Sequence, residues 1–113
     1  MMQTIKSSPY IQPGLVRVKM NMQSVTDILL KELDVTMAIL IDKSRKREVI
    51  WKRRAAMYLL SWYGFGPSAI GRMFEFDHAT VLYTYRSVEY DMLTDQALKE
   101  FIRRMQHTKL AKE

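Results

Sequence analysis

Residues 70–86 read IGRMFEFDHATVLYTYR. Ile70, Met73 and Phe74 fall on one helical face, and the Phe74-Glu75-Phe76 run makes a corner. Asp77 then stands where a helix N-cap belongs, a short carboxylate able to accept hydrogen bonds from amides that the first turn leaves unpaired. Beyond it Val81, Leu82, Tyr85, Val88 and Met92 are expected to face inward, with Ala79, Thr80, Tyr83 and Arg86 facing out. The stretch therefore predicts two helices meeting at a tight corner, the second opened by the small polar cluster Asp77-His78-Ala79-Thr80.

Upstream, Gly66 and Pro67 suit the cap and first residue of the earlier helix, since a first-turn proline loses no intrahelical hydrogen bond. Residues 50–63 predict a further helix, with Ala55, Ala56, Met57, Leu59 and Leu60 as its apolar body and Gly64 and Gly66 as its stop. Its first turns carry Lys52, Arg53 and Arg54 where the helix dipole disfavours cations, which suggests an external anion. Residues 22–33 place Val25, Ile28, Leu29 and Leu33 inward and Ser24, Thr26, Asp27, Lys31 and Glu32 outward; Thr36 can cap a short helix over 37–41. After the Leu93-Thr94-Asp95 break, Leu98, Phe101, Ile102 and Met105 form the inner stripe of a last helix, with Arg103 and Arg104 outside.

No β pattern or internal repeat competes, so the fold class is all-α, with one helical domain over residues 21–113. Residues 1–20, with Ser7-Ser8-Pro9 and Pro13-Gly14, read as a partly disordered arm that Tyr10, Ile11, Leu15 and Val16 could pin to the body.

The 113 residues are 48% hydrophobic, enough for a modest core, and contain no cysteine, which excludes disulfides and thiolate metal sites. No apolar run reaches the roughly 18 residues of a membrane span and no secretory signal is visible, so a soluble cytoplasmic protein is expected, with no membrane partner. The net charge of +6 favours an anionic partner. All of it sits in residues 43–54, where seven cations (Lys43, Arg45, Lys46, Arg47, Lys52, Arg53 and Arg54) face one anion, Glu48. A solvated basic face or a phosphate-binding surface would each explain such a run, and its place beside the corner favours phosphate.

Two helices at a sharp turn, the second opening in short polar residues, is the pattern of a helix-turn-helix, whose second helix enters the DNA major groove by its first residues. The run 70–86 resembles the signature of the C-terminal DNA-binding domain of bacterial chromosomal replication initiators, the DnaA family, at Ile70, Gly71, Phe74, Asp77, His78, Thr80, Val81, Leu82 and Arg86. The likeness extends upstream through the Ser44 to Arg47 loop and Arg53, Ala56, Met57, Tyr58 and Leu59. It implies a stand-alone, all-helical module of the Trp-repressor-like type that binds double-stranded DNA and associates with the nucleoid. Base contacts are implied for Asp77, His78, Ala79 and Thr80. Phosphate or minor-groove contacts are implied for Arg45, Lys46, Arg47, Lys52, Arg53, Arg54 and Arg86.

Three positions depart from the family pattern. Ala79 replaces a frequent threonine, and Phe76 stands where a basic or small residue is common. Trp51-Lys52-Arg53-Arg54 replaces a pattern close to Arg-Pro-Arg-Gln, putting Trp51 at the place of a minor-groove arginine. The expected consequence is retained DNA binding with an altered preferred site. An alternative is a protein-interaction module that has lost base reading and engages a replication or regulatory protein; an exposed patch of Trp51, Phe76 and Tyr83 would mark it.

No G-x-x-x-x-G-K-[ST] stretch occurs, so no nucleotide or other cofactor is expected. His78 and His107 form no metal motif, and Ser61 or Ser68 with His78 lacks a nucleophile turn, so neither a catalytic nor a metal site is expected.

Overall fold

The computed structural model describes residues 20–42 and 46–107. The expected arm over 1–20, Met20 apart, and the phosphate role of Arg45 lie outside them. The described chain is six helices: α1 Met22–Leu33, α2 Met37–Ile41, α3 Arg47–Trp62, α4 Pro67–Phe74, α5 His78–Asp91 and α6 Gln96–Gln106. None is long and apolar enough to cross a membrane.

Local chemistry sets most of the boundaries. Asn21, Thr36, Asp77 and Asp95 each accept a hydrogen bond from an amide three residues on, at 2.8, 3.3, 2.7 and 3.0 Å, satisfying donors that the first turn cannot pair. Gly66 precedes Pro67 at the start of α4. Asp34 and Glu75 end α1 and α4 in the left-handed region, at φ 57° and 63°.

Helix α3 is the centre of the fold. Ala55 to Ser61 are all buried, so this helix is enclosed around its whole circumference while α1, α2, α5 and α6 pack on it. Its far end is tied to α6 by the Tyr63 hydroxyl, which donates to the Met105 carbonyl at 2.6 Å. Leu98, Phe101, Ile102 and Met105 are buried as the periodicity predicts, and Arg104 pairs with Glu32 of α1 at 3.1 Å.

Four expectations are corrected. Helix α3 begins at Arg47, three residues before the expected start, because Val49 already packs against the core and Lys46 offers no side-chain cap to mark the boundary. Lys52, Arg53 and Arg54 consequently lie beyond the first turn, where the dipole effect has fallen off, and the inferred dipole conflict disappears. Thr26, expected outside, is fully buried; its hydroxyl donates to the Met22 carbonyl at 2.7 Å and abuts Met73 Sδ of α4. Leu82, expected inside, is 40% exposed, and the buried stripe of α5 runs instead through Val81, Thr84, Tyr85 and Val88.

Candidate nucleic-acid interface

The corner between α4 and α5 is fixed by backbone packing. The Phe76 amide donates to the Gly71 carbonyl at 2.8 Å, and a Cβ on Gly71 would sit 2.5 Å from the Phe76 carbonyl oxygen. Only glycine permits that approach. The left-handed Glu75 turns the chain, and Phe76 delivers it to the cap at Asp77.

At the cap, the Asp77 carboxylate accepts the Thr80 amide at 2.7 Å. That bond first, with the Thr80 hydroxyl and the nearby His78 adding to it, holds the Asp77 pKa below the ordinary carboxylate value. Asp77, His78 and Ala79 are exposed and Thr80 is half-buried, so the first turn of α5 projects its side chains from a rigid base. Farther along, Tyr83 is 64% exposed and Arg86 is also on the surface.

The basic residues divide into groups. Lys46 and Arg47 are exposed at the start of α3, and Arg47 has no ion pair among the described residues. Lys52 is largely covered and pairs with Glu48 at 3.3 Å. Arg53 donates to the Leu40 carbonyl at 3.0 Å and lies over the Phe76 ring, 5.2 Å from its centroid. Arg54 faces Asp91 at 3.8 Å. Consecutive arginines thus reach partners at the two ends of α5: Phe76, two residues before its start, and Asp91, its last residue.

Trp51 does not project from the surface as an arginine substitute would. It packs edge-on to Phe101 of α6, with ring centroids 6.1 Å apart, beside a cleft of about 390 Å³ that Arg47, Arg54, Asp91 and Asp95 also line. Arg72, exposed in the last turn of α4, is a cation near the corner that the sequence reading left out; its adjacency to Gly71 in the signature was the available signal.

A short helix, a tight corner and a second helix with an exposed, capped first turn define a helix-turn-helix protein. The family model described as "Bacterial dnaA protein helix-turn-helix" matches residues 22–88, and the chain belongs to that family. It is 35% identical over 95 residues to the chromosomal replication initiator protein DnaA of Bacteroides thetaiotaomicron, covering 80% of this chain and 20% of that protein. The DnaA of Gloeobacter violaceus is 26% identical over 104 residues, covering 87% of this chain and 23% of the relative. The chain spans about a fifth of the length of these curated relatives.

Proposed function

We propose that this protein binds double-stranded DNA with a sequence preference, placing the first turn of α5 in the major groove and the start of α3 against the phosphate backbone. The observation that carries this reading is the exposed, rigidly capped turn Asp77-His78-Ala79. In the complex, His78 and the Thr80 hydroxyl hydrogen-bond to base edges, and Ala79 meets a thymine methyl. Asp77 fixes the turn with one oxygen and keeps the other as an acceptor for a cytosine amine. Lys46, Arg47 and Arg86 supply phosphate contacts, with smaller contributions from Lys52 and Arg54. Trp51, committed to Phe101, leaves minor-groove reading without its arginine, so the preferred site differs from that of proteins carrying one.

The regulatory role follows from the same reading. A DnaA-type helix-turn-helix that occupies preferred duplex sites acts on replication or transcription by controlling access to those sites. The alternative protein-interaction reading has less support, because Trp51 packs on Phe101 and Phe76 under Arg53, leaving Tyr83 without the two partners its patch requires.

Selection from a random duplex library followed by a salt titration of the winner tests the proposal. A single enriched motif whose affinity falls steeply with salt is expected. No enrichment and a flat salt response would overturn it.

A further inference from the structure

We infer that Arg53 is a positioning residue for the helix-turn-helix corner, a strut that joins the end of α2 to Phe76 and sets how α5 presents His78 and Ala79, and not a phosphate ligand. The inference rests on the DNA-reading role proposed for α5 and assigns Arg53 a part in it different from the one its basic neighbours suggest.

Two surfaces of the same guanidinium are in use. Its edge donates to the Leu40 carbonyl at 3.0 Å, in the last turn of α2, where carbonyls have no partner within the helix. Its face covers the Phe76 ring at 5.2 Å, within cation–π range. A planar, delocalised cation can satisfy a carbonyl at its edge and an aromatic ring on its face together, which a lysine ammonium cannot do in the same geometry. Burial, and secondarily the charge of Arg54, lower the Arg53 pKa, in keeping with a cation drawn partly out of water.

Phe76 is where a push would matter most. It follows the left-handed Glu75, its carbonyl lies against Gly71, and the next residue is the cap of α5. A ring displaced there moves the Asp77 cap and with it the first turn of the reading helix. The apolar Phe76, a departure from the family pattern, therefore gains a role as the aromatic seat of the strut.

Arg53→Lys, Arg53→Gln and Phe76→Leu, each confirmed folded by its cooperative melt, are compared with wild type. The measurements are the selected-sequence profile, the salt slope, and amide hydrogen exchange at Phe76 and Thr80. The strut predicts that Arg53→Lys and Phe76→Leu each reduce discrimination between the best duplex and its single-base variants about tenfold. It also predicts faster exchange at Thr80 and a salt slope unchanged from wild type in all three variants. An intact profile in Arg53→Lys, with a slope reduced by about 0.9 in Arg53→Gln, would mean a phosphate contact and overturn the inference.

If both Arg53 variants fail to fold, Phe76→Leu decides, since it leaves every charge in place; an unaltered profile sinks the strut. If wild type enriches no duplex, the DNA-reading proposal fails by itself. The exchange measurement still judges the strut, and unchanged protection at Phe76 and Thr80 in Phe76→Leu overturns it.

Discussion

The basic turn of α3 and the opening turn of α5 are built in opposite ways. At Lys52, Arg53 and Arg54 each charged side chain has a partner inside the chain: Glu48, the Leu40 carbonyl with the Phe76 ring, and Asp91. At Asp77, His78 and Ala79 the backbone is held by the cap while the side chains are left exposed. In the first region the charged side chains are tied to partners within the chain, whereas in the second one carboxylate oxygen of Asp77 ties down the backbone of the turn. Only the second leaves its side chains exposed to solvent, Asp77 with one carboxylate oxygen outside the cap bond. A cluster of cations in sequence is thus an upper bound on the charge offered to a partner.

The largest effect is expected where the two regions share a support. Gly71→Ala pushes a methyl into the Phe76 carbonyl, and because the neighbour is backbone it cannot swing aside. A loss of about 2–3 kcal/mol in denaturant-induced unfolding is expected, together with loss of sequence preference. A fully stable Gly71→Ala protein would break the close-packed account of the corner.

His78→Ala separates reading from stability. The side chain is exposed, so the unfolding midpoint should stay near wild type while preference among duplexes drops by about 1–3 kcal/mol at the contacted base pair. An unchanged selected profile would remove His78 from the reading set.

Arg47 and Arg54 sharpen the contrast between available and committed charge. Arg47→Ala should lower affinity for all sequences alike and reduce the salt slope by about 0.9. Arg54→Ala should change the slope less, because its guanidinium is already near Asp91. Equal slope changes would show that the internal pairing does not limit phosphate contact.

The smallest effect concerns pH. The folded-state pKa of Asp77 is depressed by its hydrogen bonds from Thr80, so its contribution is present above the ordinary aspartate pKa and is lost as pH falls through the folded value. Exchange at the Thr80 amide should therefore show reduced protection on acidification. Asp77→Asn, which keeps an N-cap acceptor without a titrating carboxyl, should abolish that component. A pH-independent Thr80 amide in the wild type would count against the cap as an ionised group.

Most helices were legible because their signals are local. The caps at Thr36 and Asp77, the Gly66-Pro67 start and the Leu93-Thr94-Asp95 break are short-range signals, and each lies at a helix boundary in the fold. The start of α3 was not legible, since Lys46 makes no side-chain cap bond and the cationic run resembles a solvated loop. Leu82 and Thr26 were misassigned because neighbouring positions on a helix differ by about 100°, and the packed neighbours decide which of two adjacent residues is covered.

The sequence by itself determined the helical fold class, the corner and the exposed cluster that opens α5, because periodicity, glycine placement and capping act within a few residues. Only the tertiary structure decided which partners within the chain the basic residues find. An arginine side chain reaches partners far away in sequence, as Arg53 does at Leu40 and Phe76 and Arg54 at Asp91. Which of those partners lies within reach is set by how the helices pack.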